Sequence, residues 1–324
     1  MREITFAEAT REAMTEEMTR DERVFLMGED IARQGGIFGQ FKGLPQQFGL
    51  ERVIDAPISE TAIVGAGVGA AMAGMRPVVD MHFADFIGVC MDEIMNQMAK
   101  IRYMFGGQYS VPLVLRAPDG IARSGGPQHS QSLEAIFQHI PGLKVVIPSN
   151  AADAKGLLKS AIREDDPVLY FEHKMLFPLK GPVPEGEFLV PIGQAQVVRQ
   201  GTDITIVSYS LMLQRAREAA ETLVKEGIEA EVVDLRTISP LDKGTVLESV
   251  AKTKRLLIVH EAVKTGGVGA EVAAMVAEEG LDYLDAPIIR LGAPFVPVPF
   301  SPALERLVKT TAGDIVCAAR KLCQ

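Results

Sequence analysis

Apolar positions along the chain switch between two periods. "ITFAEATREAMTEEMTRD" puts Ala7, Thr10, Ala13, Met14 and Met18 on one side of a helix, and "RVFLMGED" follows as a short continuous apolar run. "RPVVDMHF", "VPLVLRAP", "LKVVIPS" and "DPVLYFE" are further runs of strand length, each closed by proline, charge or turn residues. Helical spacing is predicted over 60–74, 88–103 and 151–163. Strands that alternate with helices predict parallel pairing through helical crossovers, an α/β class.

The stretch "KMLFPLKGPVPEGEFLVP" then carries four prolines in 18 residues, a composition suited to an exposed linker. Beyond it the alternation resumes with "DITIVSYS", the helix "LMLQRAREAAETLVKEG", "IEAEVVDLRT", "RLLIVHEA", the helix "GAEVAAMVAEEG" and "APIIRLGA". The expected organisation is a first domain over 1–176, a linker over 177–191 and a second α/β domain over 192–324.

Composition narrows the function classes. With 324 residues, 47% apolar and 23% charged, the chain has the make-up of a soluble globular protein of two domains. A net charge of −9 argues against nucleic acid or an anionic membrane as partner. The opening "MREITFAEATREAM" is charged where a signal peptide is apolar, and no apolar run reaches the length of a membrane span, so a cytoplasmic location is expected. Cys90, Cys317 and Cys323 are odd in number and lack a C-x-x-C spacing, which indicates neither a disulfide framework nor a zinc site.

Candidate chemistry starts at "DAPISETAIVGAGVGAAMAG". Glu60 stands at the mouth of a run of small and apolar residues, either as a first-turn acid favoured by the helix dipole or as a carboxylate held at a crevice for a ligand nitrogen. "GAGVGA" at 65–70, with Asp85 about twenty residues on, matches a dinucleotide pattern and would suggest an NAD-dependent oxidoreductase. That fingerprint needs a strand feeding its first glycine. Here "ISETAIV" reads as a helix already begun, with Ser59 as N-cap. Gly65 and Gly69, four apart, then make one smooth face and Ala66 and Ala70 a second, suited to close approach of another backbone.

"MHFADF" puts Phe83 and Phe86 past a strand end, where open α/β sheets keep ligands. His82, on that strand, is either a core histidine or part of the same pocket. "GGPQHSQSLEA" puts His129 in a glycine-rich loop ahead of a helix, a position that suits function as well as plain exposure. His139, His173 and His260 have no metal-ligand spacing and are read as structural. Neither G-x-S-x-G nor a P-loop occurs.

Taken together, "VIDAPISE", "RPVVDMHFADF", "QHSQSLEA", "PGLKVV", "DAKGLLKSAI" and "VVDLRTISPLD" are similar to the beta subunit of the thiamine-diphosphate-dependent first component of 2-oxo acid and acetoin dehydrogenase complexes. The resemblance runs from residue 3 to about 316. It implies a pyrimidine-binding domain followed by a transketolase-type C-terminal domain. It also implies that Glu60 bonds N1′ of the cofactor's aminopyrimidine, so that the ring can take the proton from the thiazolium. Ile58 would contact the cofactor, Phe86 would stack on the aminopyrimidine, and His82 would lie beside it, where related chains carry Met or Gln. His129 would face the reaction centre. A structural potassium ion would sit on loop oxygens of Leu113, Ala161, Ile162, Glu164 and Asp166.

The G-D-G…N motif that binds magnesium and diphosphate in this class does not occur here. The resemblance therefore implies that an alpha subunit holds the magnesium and shares the thiamine diphosphate, in an assembly of two alpha and two beta chains on a lipoyl-bearing acyltransferase core. "GGIFGQFKGL", "CMDEIMNQMAKIRYMFGGQ" and "VHEAVKTGGVGAEVAA" look more like acetoin than pyruvate or branched-chain subunits. A half of a transketolase or deoxyxylulose-phosphate synthase is the near rival, and a non-catalytic scaffold subunit a further one.

Overall fold

The computed structural model describes residues 1–324. They form two compact units, Met1–Asp119 with Ile136–Ile192, and Gly120–Ala135 with Gly193–Gln324.

In the first unit, β1 (Arg2–Thr5) leads into α1 (Phe6–Arg20). A capping box starts the helix: the Glu8 N–H donates to Thr5 Oγ1 at 3.1 Å, and the Thr5 N–H donates back to Glu8 Oε2 at 2.8 Å. The predicted stripe of Thr10, Ala13, Met14 and Met18 is buried, with Ala7 half-buried at its edge. β2 (Val24–Gly28), β3 (Val53–Asp55), α2 (Glu60–Met72), β4 (Arg76–Asp80), β5 (Val114–Asp119), β6 (Lys144–Val146), α3 (Ala151–Arg163) and β7 (Val168–His173) follow. The six strands β2 to β7 run parallel in the order β6-β7-β5-β4-β2-β3. The core between sheet and helices holds Met14, Met18, Leu26, Val78, Leu157 and Tyr170.

α1 and α3 pack through charges as well as methyls. Lys155 and Lys159, one turn apart, both reach Glu16, at 2.5 and 2.6 Å, and Arg163 reaches Glu17 at 2.5 Å. Arg116 on β5 is wholly buried between Asp80 and Glu172, with its guanidinium over the rings of Phe41 and Phe177. Two carboxylates on one buried cation leave a surplus of negative charge, and burial raises the pKa of both.

Two expectations need correction. The single helix over 88–103 is instead a 3-10 segment (Ala84–Cys90), a π segment (Glu93–Met98) and one α turn (Ile101–Met104). Its buried positions explain the break. Ala84, Ile87 and Cys90 recur every third residue, the 3-10 period, whereas Ile94 and Met98 are four apart. The 177–191 stretch contains β8 (Lys180–Val183), which pairs antiparallel with β1 and so ties the end of this unit to its beginning.

The second unit holds β9 (Gln196–Arg199), β10 (Ile204–Ser208), α4 (Ser210–Val224), β11 (Ala230–Asp234), α5 (Lys243–Thr253), β12 (Leu256–Val263), α6 (Val268–Glu279), β13 (Ile289–Ala293), α7 (Pro302–Val308) and α8 (Ala312–Cys323). The sheet order is β13-β12-β10-β11-β9, parallel except for the edge strand β9. α4 and α8 cover one face over Ile206, Val232, Leu257 and Val259.

Candidate active site

In the first unit the site residues leave three neighbouring parallel strands at one end. Gly28 of β2 stands in register with Asp80 of β4 and with Asp55 of β3. The residues that follow, Glu29, then Met81 and His82, then Pro57 to Glu60, therefore emerge together at the carboxyl ends of the strands, where open α/β sheets place ligands. Gly28 permits the approach: a Cβ there would lie 2.6 Å from the Asp80 carbonyl oxygen.

His82 turns back onto Glu29. Its Nε2 lies 2.9 Å from the Glu29 carbonyl oxygen and its Nδ1 3.2 Å from Glu29 Oε2. Burial raises the Glu29 carboxyl above the usual carboxylate range; the His82 ring opposes that rise and the Glu60 charge adds to it. Phe83 and Phe86 meet edge to face at 5.8 Å between centroids, and Lys174 Nζ lies 5.0 Å over the Phe83 ring. Both rings are half-buried, while Ile58 is 82% exposed.

Glu60 opens α2 in the first turn, where the dipole favours an acid, and its side chain is half-buried. Ser59 occupies the N-cap position, as expected, although its side chain accepts no capping hydrogen bond. Gly65, Gly67 and Gly69 lie within α2, and no strand feeds the first of them. The dinucleotide reading loses its structural context here. Gly67 makes the close approach to the sheet: a Cβ would lie 2.8 Å from Val79 Cγ1. Gly69 is exposed, with nothing within 4 Å of an added Cβ, and Gly65 would meet only Glu93 Cγ at 3.8 Å. Beside this helix start, Met27, Ile54, Pro57, Ser59, Ala62 and Ile63 line a pocket of about 240 Å³.

His129 belongs to the second unit, in the loop that leaves the first unit after Asp119. Two carboxylates hold that loop by its backbone. The Ile121 N–H donates to Glu261 Oε2 at 2.6 Å, and the Ser124 N–H donates to Glu305 Oε2 at 2.7 Å. Between these clips Arg123 and Ser124 adopt left-handed backbone, at φ 46° and 61°. Ser130, Gln131 and Leu133 of the same loop line a cavity of about 260 Å³ with Glu261, Val263 and Ala293. His260 is buried, its Nδ1 3.1 Å from the Ala262 carbonyl oxygen.

The expected potassium donors are already engaged. The Leu113 carbonyl accepts the Val168 N–H at 2.9 Å, and Ala161 accepts from Glu164 at 3.3 Å. Arg76 Nη1 donates to the carbonyls of Ile162, at 3.0 Å, and Glu164, at 2.8 Å. Arg102 pairs with the Asp166 carboxylate and Lys144 with that of Glu164. Arg76 thus lies on two of the five carbonyls expected to hold the ion. No group of three or more His, Cys, Asp or Glu side chains is arranged to hold a metal.

The Transketolase, pyrimidine binding domain family matches residues 2–180, and the Transketolase, C-terminal domain family matches 193–315. An acetoin:2,6-dichlorophenolindophenol oxidoreductase subunit beta of Cupriavidus necator is 50% identical, over 99% of this chain and 97% of that one. A 2-oxoisovalerate dehydrogenase subunit beta of Bacillus subtilis is 49% identical, over 99% of each chain. The chain belongs to the beta subunits of acetoin and 2-oxo acid dehydrogenases. Within this family it is a subunit of an oxidoreductase. Its α/β class, a pyrimidine-binding domain ahead of a transketolase C-terminal domain, is the one expected. The split-gene transketolase in its inactive beta4 tetramer shares the fold at a TM-score of 0.82 with 24% identity, covering 99% of this chain and 98% of that one. No helix is long and apolar enough to cross a membrane.

Glu29, Glu261 and Glu305 are additions to the sequence reading. Glu29 carried a weak signal, as an acid directly after the apolar run of β2. The other two come together with the loop only through the fold.

Proposed function

We propose that this chain is the thiamine-diphosphate-activating half of an acetoin dehydrogenase, completed by an alpha subunit in a two-alpha, two-beta assembly. The observation that carries the reading is the grouping of Glu60, Phe86 and exposed Ile58 at the carboxyl ends of β2, β3 and β4. This sets a carboxylate, an aromatic ring and an uncovered apolar side chain at one end of the sheet, an acceptor and surfaces that suit an aminopyrimidine. Bound there, thiamine diphosphate would supply the carbon nucleophile and electron sink for cleaving a ketone or 2-oxo acid. Glu60 would accept the hydrogen bond of the ring nitrogen, Phe86 would hold the ring by stacking, and Ile58 would shield it from water. His129 would move a proton at the acyl group on its way to lipoyl-lysine of the acyltransferase core.

Magnesium and the diphosphate fall to the alpha subunit, since this chain has no G-D-G. For the loop around Ile162 and Glu164 the reading is a turn closed by Arg76, without potassium. The substrate reading favours acetoin from "GGIFGQFKGL" and "VHEAVKTGGVGAEVAA"; pyruvate or a branched-chain 2-oxo acid is the alternative.

The test is co-expression with the alpha subunit, thiamine diphosphate and magnesium, following reduction of an artificial acceptor on acetoin, pyruvate and branched-chain 2-oxo acids. Glu60-dependent turnover of acetoin alone is expected. Turnover of the oxo acids would move the substrate and keep the chemistry. Equal rates in Glu60→Ala would overturn the role of Glu60.

A further inference from the structure

His82 and Glu29 present a proton count that their geometry settles. A carbonyl oxygen only accepts, so His82 Nε2, at 2.9 Å from the Glu29 carbonyl oxygen, carries a hydrogen. Nδ1 and Glu29 Oε2, at 3.2 Å, then need one further proton between them. With none, a ring lone pair faces a carboxylate; with two, two hydrogens face each other. One proton makes imidazolium–carboxylate or imidazole–carboxylic acid, and either is electrically neutral. Both side chains are largely withdrawn from water, at 15% and 8% exposure, so an uncancelled charge there is costly.

The surroundings make that neutrality matter. The groups that act on Glu29 are His82 from the end of β4, Asp30 beside it, Glu60 from α2, and Asp80, which is spent on Arg116 of β5. Lys174, over the Phe83 ring, is the nearby cation from the end of β7. Glu60 and Glu29 therefore repel each other across the mouth of one crevice. Two carboxylates in that position compete for a proton, and a proton taken by Glu60 removes its power to accept from a ligand nitrogen.

We propose that His82 is a positioning residue that shares one proton with Glu29, cancelling the Glu29 charge so that Glu60 remains the working anion of the site. His82 acts through Glu29 and does not touch the reacting atoms. The inference rests on the role given to Glu60 above, and it predicts that His82 is needed only while Glu29 can be charged.

Two readouts test it. In the full chain without cofactor, ¹⁵N-histidine spectra contain five ring systems, and His82→Gln identifies the one lost. Its Nε2 should carry a hydrogen, and Glu29→Gln should shift its Nδ1 resonance, because the proton shared across that contact is lost. In the assembled complex, His82→Gln should move the acid limb of the kcat/KM profile to higher pH by about one unit, because an uncancelled Glu29 charge makes Glu60 hold its proton more tightly. Adding Glu29→Gln to His82→Gln should abolish that displacement. A His82 ring whose Nδ1 resonance does not respond to residue 29 would overturn the proposal, as would a double variant as displaced as the single one. If no variant or parent shows Glu60-dependent turnover, the catalytic reading fails while the cofactor-free spectra still decide the proton sharing.

Discussion

The carboxylate of Glu305, on α7, accepts the backbone N–H of Ser124 at 2.7 Å, five residues before His129. Lys309, one turn further along, holds the same carboxylate. A loop with two non-glycine residues in left-handed backbone keeps that shape only when its amides are satisfied from outside.

Glu305→Ala should therefore free the loop without unfolding the unit. The loss is about 1–3 kcal/mol, the cost of an orphaned amide next to a charged acceptor's former place. Hydrogen exchange at Ser124 should accelerate well above that of β12, and proteases should gain a cut within 120–135. Unchanged exchange at Ser124 would show that the loop is held elsewhere.

Gly67 and Gly69 should respond in opposite directions to the same methyl group. Gly67→Ala forces Cβ to 2.8 Å from Val79 and should cost about 1–3 kcal/mol by overpacking. Gly69→Ala meets nothing within 4 Å and should stabilise the isolated chain by up to about 1 kcal/mol. Urea unfolding of the chain alone measures both. If the exposed face of α2 packs against another subunit, Gly69→Ala should weaken assembly while raising the stability of the free chain.

The Arg76 guanidinium should make potassium dispensable. An alkali ion about 4 Å from it is repelled by about 4 kcal/mol at an effective dielectric near 20. Exchanging potassium for sodium at constant ionic strength should leave the unfolding temperature of the chain within about 1 °C. Arg76→Met, which uncovers the carbonyls of Ile162 and Glu164, should lower that temperature; a potassium-specific rise in the parent chain would refute the assignment.

His260 should make the second unit sensitive to mild acid. Burial pushes its pKa down to about 4, and Cβ atoms at Gly267, Gly269 or Gly292 would all crowd its ring, leaving no room for solvent. Below about pH 6.5 the unfolded chain takes the proton first, so stability falls as pH drops from 6.5 towards 4. At pH 5 the deficit from this group is about 2 kcal/mol. Thermal unfolding at pH 7 and pH 5 should show a smaller difference in His260→Gln than in the parent. Equal differences would exclude His260 as the cause.

Local pattern was enough for the α/β class, for α1 and for α3, whose bounds Ala151–Arg163 match the expected helix. Those elements need only a regular period and a cap, both of which are properties of neighbours in the chain. Residues 84–104 resisted because their buried positions shift from every third to every fourth residue, and only packing shows that one backbone changes its winding to follow them. For the site, residue types in motif named Glu60, Phe86, His82 and His129. Strand register decided that Glu29 and His82 would meet, since Gly28 and Asp80 are paired across a parallel ladder 52 residues apart in the chain. Tertiary structure alone turned Arg76 onto Ile162 and Glu164, and brought Glu261 and Glu305 to the His129 loop. Each of those contacts joins side chains to backbone groups far along the chain, and no period or spacing in a sequence records where a carbonyl or an amide will point.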